Sequence, residues 1–473
     1  LVKVHVSVTN PADPSFRSPQ ILPLLGVPDD VIRDHRKAVL YDVSEADPFR
    51  GMAMYAGMGV GEHYVGPAWE DRALMLQGPV ALSLRDQARA LLEVQGIRGG
   101  ELPHVLRSHP KTPDYDRRVQ AEIDSMDAWG GVASRAVELH NETGFGSKEI
   151  SVAEATLINL LSPGGVWKVP DSLWLNELLG SLLVGAALRG ARALIIAPSR
   201  AAAPGKGWPP LAMIHDLMSR LLAVQRELAP EFARGGGFVR VGLYDPVAGV
   251  DNLRDRVRTL RQRLSQTPFL RDLYAFDPTV YAVLDSADVL LSAPGVDSAG
   301  RSTPVPSVVS MLHFKGFLYI SREAWKRLIG GPAMAFGLQQ YLVQRTRQLR
   351  EGTAVGEDVM ADAMQMTGAG VINQLLDSLP LEERACPRFQ HCPGKRWVFF
   401  LQVGSPNQDY RSMALDGEAA VLVSGWTSLY AVPDFVLLTG LTAWPETQQE
   451  LDRLLPPPNT HQRAFAWWVR MVL

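Results

Sequence analysis

A His-x-Lys tripeptide occurs twice in this chain directly before an apolar run, and this repetition limits the possible folds more than any other pattern. His35-x-Lys37 precedes AVLYD, and His313-x-Lys315 precedes GFLYI. Side chains two residues apart on a strand point to the same face, so each tripeptide presents an imidazole beside a fixed cation. Two copies of this unit predict an internal duplication with one active site where two lobes meet.

Around these tripeptides the sequence alternates between strand-like and helix-like segments, which is typical of an α/β protein. We predict two duplicated lobes, each a mixed β-sheet flanked by helices, with the active site at the lobe interface. The predicted elements are strands at Val2–Val8, Ala38–Val43, Leu74, Ala193, Phe238, Val308, Phe317 and Trp397, and helices at Leu82–Val94, Asp171, Leu211 and Asp251.

The boundary between the lobes is predicted near residue 150. Residues from Ser108 to His140 are polar and are interpreted as a linker and a surface helix. The N-terminal lobe is residues 1–150, expected to lack its first elements because Leu1 opens on a strand already in progress. The C-terminal lobe is residues 151–473, with a helical insertion at about 322–396 that we interpret as an ordinary excursion.

Charge and hydropathy restrict the class of partner. A net charge of -3 over 473 residues gives no overall reason to bind nucleic acid, which disfavours a nuclease. The apolar stretch from Leu173 contains Asn176, Glu177, Arg189 and Arg192, so it predicts a helix-strand unit and not a membrane span. The compartment stays open, with the cell envelope or a membrane surface as candidates.

Other conspicuous residues are interpreted as having no catalytic role. His109-x-Lys111 is a third copy, but neighbouring prolines prevent the buried strand that would orient it. About 0.2 such tripeptides are expected by chance from this composition. Cys386 and Cys392 are too few for a metal site and are inert, or form a surface-loop bridge if the compartment is oxidising.

A segment near the C-terminus carries groups suited to a phosphate. GSPNQDYRSMALDGE follows a strongly apolar strand, and it places Ser405 and Asn407 in a turn and Glu418 shortly after. Hydroxyl and amide donors of this kind suit a phosphoryl oxygen. A tight turn with no ligand is the simpler interpretation of the same residues.

Taken together, the two tripeptides and this segment resemble the phospholipase D superfamily, and the segment is similar to bacterial cardiolipin synthases and phosphatidyltransferases. The resemblance implies a bilobal α/β fold in which each half gives one His and one Lys. It also implies an acidic residue after each motif that orients a histidine, and by position these acids are Asp71 and Glu418.

The chain departs from the family pattern in both halves. The first motif has its aspartate, Asp42, but Ile320 stands at the corresponding position of the second. Gly59 stands where an asparagine usually follows the glycines of the first half. These departures bear on full activity and leave open a catalytically impaired lipid-binding or phosphate-binding scaffold.

The resemblance implies a metal-independent phosphodiester hydrolase or transphosphatidylase that acts on phospholipids through a phosphohistidine. His35 is expected to be the nucleophile and His313 the general acid and then base, an order that is open to exchange. Lys37 and Lys315 would neutralise the phosphate. No cofactor is implied; the partners are a phospholipid, water or an alcohol, and a peripheral membrane surface. A nuclease of the same superfamily is the alternative.

Overall fold

The computed structural model describes residues 35–57, 69–94, 96–102, 135–142, 147–203, 208–245, 295–296, 302–303, 311–324, 399–414 and 416–469, with isolated positions between 106 and 121. Its strands are β1 (Ala38–Tyr41), β2 (Met52–Ala56), β3 (Trp69–Glu70), β4 (Ala73–Gln77), β5 (Arg135–Asn141), β6 (Val166–Pro170), β7 (Arg192–Pro198), β8 (Phe238–Tyr244), β9 (Gly295–Val296), β10 (Ser302–Thr303), β11 (Met311–Leu312), β12 (Gly316–Ile320), β13 (Phe399–Gly404), β14 (Glu418–Ser424) and β15 (Thr442–Ala443).

The helices are α1 (Val80–Val94), α2 (Glu149–Asn159), α3 (Glu177–Leu188), α4 (Trp208–Glu227), α5 (Ala229–Gly235), α6 (Arg322–Ala324), α7 (Tyr410–Ala414), α8 (Val432–Gly440), α9 (Gln448–Leu454) and α10 (Thr460–Val469), with 3-10 turns at Gly99–Glu101 and Trp426–Ala431. Among the described residues, no helix combines the length and the apolarity needed to cross a bilayer.

A large mixed sheet and a smaller antiparallel sheet organise these elements, so the predicted mixed α/β class is confirmed. The large sheet has eight strands in the order β15-β8-β7-β6-β12-β13-β14-β5. Strands β6, β7 and β8 are parallel, and every other pairing in it is antiparallel. The smaller sheet is β1-β2-β4. Of the eight strands, only β5 comes from before residue 150.

Two apolar cores cover the faces of the large sheet. On one face, Trp167 and Ile195 pack with residues of α3 and α4, including Leu183 and Met218. On the other face, Val421 and Val423 of β14 pack against Ala53, Tyr55 and Leu84 of the smaller sheet and α1. The second core therefore attaches the smaller sheet, and the segment that precedes it, to the large one.

Several predicted elements have different limits in the structure. Residues 135–141 form strand β5 and not a surface helix, because polar and apolar residues alternate with a period of two from Val137 to His140 and the segment pairs with β14. The helix predicted from Asp171 begins at Glu177, and Asn176 is its N-cap. The segments Val2–Val8 and Asp251 onward, and nearly all of 322–396, lie outside the described residues.

Candidate active site

One edge of the large sheet collects most of the polar residues predicted to act. Because β12 is antiparallel to β6, its first residue lies beside the carboxyl end of β6, where Lys315 forms a bridge with Asp171. The end of β13 and the start of β14 reach the same edge, which places Ser405 and Glu418 there. Ligand sites of open α/β sheets lie outside the carboxyl ends of the parallel strands.

His35 reaches this edge from the segment just before β1. Its backbone N–H donates to the Gly417 carbonyl at 2.7 Å, which fixes the histidine beside the start of β14. Its side-chain Nδ1 lies 3.0 Å from Oε1 of Glu418 and 3.3 Å from Oε2. Within the described residues, no hydrogen bond reaches its Nε2, so this atom is the one available to a substrate.

His313 has the same kind of partner in another part of the chain. Its Nδ1 lies 2.5 Å from Oδ2 of Asp71, which is located between β3 and β4. The ammonium group of Lys315 lies 2.9 Å from Nδ1 and 3.0 Å from Nε2 of the same ring. An imidazole held between a carboxylate and an ammonium group is fixed in orientation before any substrate arrives.

The two histidine-carboxylate pairs are therefore crossed between the two regions of the sequence. Asp71 follows the first tripeptide but holds His313, and Glu418 follows the second but holds His35. Lys315 interacts electrostatically with both Asp71 and Glu418, which places the two pairs around one buried cation. The predicted residues thus form one cluster.

Local packing holds the second tripeptide in place. Phe314, which stands between His313 and Lys315 in the sequence, is buried. Its ring meets that of Phe435 on α8 edge-on, with the ring centroids 5.0 Å apart. Gly316 follows with φ at +144°, and a Cβ there would lie 2.1 Å from the Gln402 carbonyl oxygen. Only a residue without a Cβ fits at this position, because both the positive φ and the closeness of the Gln402 carbonyl exclude a side chain.

The position of Asp71 likewise depends on a glycine and an ion pair. A Cβ on Gly57 would lie 2.4 Å from Oδ1 of Asp71, so the absence of a side chain admits the carboxylate. The Gly57 N–H donates to the Arg72 carbonyl at 3.2 Å, and Arg72 forms an ion pair with Asp434 of α8. Helix α8 therefore supports both His313 and the segment that holds it.

Ser405 and Asn407 lie at the same edge but differ in their contacts. The Ser405 hydroxyl donates to Oε2 of Glu418 and accepts from the Ala419 N–H at 3.1 Å. A hydroxyl has one proton, so donation to a phosphate would require it to turn. Asn407 accepts from the Ser172 hydroxyl through Oδ1 at 2.9 Å, which leaves its Nδ2 group directed elsewhere.

Burial and charge act against each other at this edge. Burial lowers the pKa of Lys315 below its ordinary value, although Asp71, Asp171 and Glu418 oppose the shift. Burial alone would raise the pKa of Glu418, but its electrostatic interaction and hydrogen bond with His35, together with the charge of Lys37, hold that pKa below the ordinary value. Burial raises the pKa of Asp409 well above its ordinary value; the Ser412 N–H opposes this shift, and the nearby carboxylates of Asp171, Glu418 and Asp416 add to it.

Lys37 belongs to the cluster, whereas Asp42 lies apart from it. The ammonium group of Lys37 donates to the His35 carbonyl at 3.0 Å and acts electrostatically on Glu418, so it belongs to the cluster. Asp42 is exposed at the end of β1, where it forms an ion pair with Arg50. His35 and Lys37 precede β1, so strand pleating does not set the directions of their side chains, and their backbones are held instead by hydrogen bonds with Gly417 and Ala56.

The sequence interpretation missed Asp171, Ser172 and Asp409, all of which are buried at this edge. Asp171 contacts the Lys315 backbone, Ser172 donates to Asn407, and Asp409 accepts from the Ser412 N–H at 2.7 Å. A signal existed for the first two, because they directly follow the apolar strand β6. Polar residues at that position of a parallel strand are candidates for a site. Within the described residues, no group of three or more His, Cys, Asp or Glu side chains is arranged to hold a metal ion.

No family model matches the chain, and no curated protein matches it. One solved structure that it resembles is the phosphatidylserine synthase of Haemophilus influenzae Rd KW20, with 11% identity and a TM-score of 0.43 over 94% of this chain and 72% of that one.

Proposed function

We propose that this protein is a phosphodiester hydrolase or phosphatidyl transferase that acts on phospholipids through a phosphohistidine intermediate. The observation that carries the proposal is the crossed arrangement of His35 with Glu418 and His313 with Asp71 around Lys315. Two oriented imidazoles beside a buried cation provide a nucleophile, an acid and a charge that neutralises the phosphate.

In the proposed mechanism His35 attacks phosphorus. Glu418 holds its Nδ1, so the proton resides there and the lone pair of Nε2 faces the substrate. The N–P bond forms as the bond from phosphorus to the leaving oxygen breaks, and His313 gives that oxygen a proton. His313 then removes a proton from water or an alcohol, whose oxygen attacks phosphorus and releases His35.

The phosphoryl oxygens require compensation of their charge during both steps. Lys315 and Lys37 supply two ammonium groups, and the Nδ2 group of Asn407 is a further donor at the same edge. We propose a phospholipid substrate and not nucleic acid for two reasons. The net charge of the chain is -3, and the segment at 404–418 is similar to cardiolipin synthases and phosphatidyltransferases. Choice between hydrolysis and transfer depends on which acceptor reaches His313.

The test uses phosphatidylglycerol vesicles in EDTA, with and without ethanol, and measures phosphatidic acid and phosphatidylethanol. Wild type is compared with His35→Ala and His313→Ala, and with His461→Ala, whose exposed ring on α10 is remote in sequence from the cluster. We expect product from wild type and His461→Ala, and a loss of at least about 100-fold in the two cluster variants.

Two further measurements separate the alternatives. Intact mass after rapid quench in a denaturant at mildly alkaline pH, where the N–P bond of a phosphohistidine survives, should show a phosphatidyl adduct on wild type that is absent from His35→Ala. Single-stranded DNA is the competing substrate, and its cleavage in place of lipid would replace the phospholipid proposal with a nuclease. Absence of turnover on both would favour the scaffold.

A further inference from the structure

A fully buried carboxylate outside the catalytic cluster contacts the loop that carries Asn407. Glu154 of α2 is 1% exposed. It accepts a hydrogen bond from Nε2 of Gln402 at 2.5 Å, and Nε2 of Gln408 lies 3.2 Å and 3.0 Å from its two oxygens. Gln408 directly follows Asn407 in the sequence, so the Glu154 carboxylate contacts the neighbour of the proposed phosphate donor.

The opposite end of Gln408 is held by the start of α3. Its Oε1 accepts from Nδ2 of Asn176 at 3.2 Å, and its backbone carbonyl accepts from the Leu175 N–H at 2.6 Å. Asn176 in turn caps α3, because its Oδ1 accepts from the Leu179 N–H at 2.9 Å. The hydrogen bonds therefore run from the helix cap to the carboxylate. The Asn176 amide donates to Gln408, and the Gln408 amide donates to Glu154.

Burying a carboxylate at this position costs free energy, because desolvation disfavours its charged form. Burial raises the pKa of Glu154 to about 7, although the amides of Gln408 and Gln402 oppose the shift. An apolar side chain would fill the same space without this cost. An ionised carboxylate accepts hydrogen bonds at both oxygens and donates none. A neighbouring amide must therefore turn its NH2 group, and not its oxygen, towards the carboxylate.

We propose that Glu154 is a positioning residue that fixes the loop 405–409 and thereby the direction in which the Asn407 amide faces. The use of that amide on a phosphoryl oxygen rests on the function proposed above. Two hydrogen bonds hold the loop. The Ser172 hydroxyl donates to Oδ1 of Asn407, and Glu154 accepts from the neighbouring Gln408. A substrate phosphate would then meet an Nδ2 donor that is already oriented.

The first test is Glu154→Gln. The new amide offers one acceptor and one donor, so one of the two glutamines meets another N–H group unless it turns over. If Gln402 turned over, its Nε2 would take the buried position of its Oε1, which has no hydrogen-bond partner among the described residues. If Gln408 turned over to restore this contact, its N–H would face Nδ2 of Asn176, and the mismatch would only move to the helix cap. We expect faster backbone hydrogen exchange in a peptide covering 404–412 and a fall in kcat/KM of about 10- to 100-fold.

The second test exchanges the two groups in Glu154→Gln/Gln408→Glu. A carboxylate at position 408 accepts both from Asn176 and from the new amide at 154, whose oxygen accepts from Gln402. All donors are satisfied again, so exchange and kcat/KM should return towards wild type. Glu231→Gln, which changes an exposed ion pair with Arg234 on α5, is the matched control and should change neither.

Hydrogen exchange and turnover distinguish the two proposals. Unchanged exchange at 404–412 in Glu154→Gln overturns the positioning role whatever the activity. Faster exchange with no recovery of kcat/KM in the exchanged pair also overturns it, because Glu154 would then contribute only to stability. Faster exchange that the pair reverses, in a protein whose wild type turns over no phosphodiester, supports the positioning of the loop and overturns the proposed phosphodiesterase alone.

Discussion

At the scale of single residues, each imidazole of the cluster receives its carboxylate from the other region of the sequence. His35 and Glu418 are 383 positions apart, and His313 and Asp71 are 242 apart. A carboxylate on Nδ1 favours the tautomer with the proton on that atom, which on His35 leaves Nε2 for the proposed reaction. Neither half of the chain can orient its own histidine in this arrangement.

Glu418→Gln tests the orientation of His35. The amide can present an N–H group to Nδ1 and so favour the wrong tautomer, while its shape is preserved. We expect kcat to fall by about 100-fold or more and the midpoint of thermal unfolding to change little. The control is Asp452→Asn, which alters a histidine-carboxylate pair with His215 outside the cluster and should leave kcat unchanged. Equal kcat in Glu418→Gln and wild type would contradict an orienting role.

At the scale of elements, the turn into β12 determines where Lys315 lies. Gly316 allows β12 to begin directly after the lysine, and its pairing with Val403 brings the tripeptide to the shared edge. Phe314 anchors the same turn against α8. The imidazole and the ammonium group therefore take their positions from a glycine and a phenylalanine that carry no chemistry.

Gly316→Ala should reduce stability by about 2 kcal/mol or more, because the positive φ is strained and the new Cβ meets the Gln402 carbonyl. Gly236→Ala is the matched control, since φ there is +71° and nothing lies within 4 Å of a Cβ. It should cost about 1 kcal/mol from backbone conformation alone. Urea unfolding measures both, and similar losses in the two variants would show that the contact is unimportant.

Strand β5 carries a carboxyl that should make stability depend on pH. Burial and the nearby charge of Glu149 raise the pKa of Glu138 from 4.5 to about 8, against the effect of Arg36. The folded protein therefore keeps a proton that the unfolded chain loses across this range, and its stability falls as pH rises through it.

Glu138→Gln should remove this dependence, because an amide resembles the protonated acid. Between about pH 5 and about pH 9, wild type should lose more free energy of unfolding than the variant, by on the order of 3 kcal/mol. Urea titrations at the two pH values measure the difference. Parallel losses in both proteins would show that Glu138 ionises normally.

At the scale of the whole molecule, the cluster exists because the smaller sheet packs on the larger one. The core that joins them contains Val421 and Val423 of β14 together with Ala53, Tyr55 and Leu84. Strand β2 of the smaller sheet leads to Gly57 beneath Asp71, and β1 follows Lys37. Contact between the sheets therefore brings His35 to Glu418 and Asp71 to His313.

Val421→Ala should weaken this contact and lower the free energy of unfolding by roughly 2 kcal/mol, because it leaves a cavity between the sheets. Activity should fall with it, since the positions of His35 and Asp71 depend on the same contact. Val152→Ala, at a position 64% exposed on α2, is the control and should have almost no effect. Loss of stability in Val421→Ala without any loss of activity would show that the cluster does not depend on this core.

Much of the cluster could be predicted because its members stand in short local patterns. The two tripeptides, the acids at 71 and 418 and the turn at 405–407 were identified from spacing and resemblance, and the structure brings them to one edge. Strand β5 was misassigned because its polar face suggested a surface helix, although the alternation of Val137 and Leu139 with polar residues was visible.

The sequence by itself determined which side chains are available and where most strands and helices run, because these depend on neighbours a few residues apart. Only the tertiary structure decided that the acids cross between the histidines, that the Ser405 proton is directed at Glu418, and that Glu154 lies beneath the loop. Those contacts depend on the order of strands in the sheet and on which faces pack together. Both follow from the burial of apolar surface over the whole chain, which no local pattern encodes.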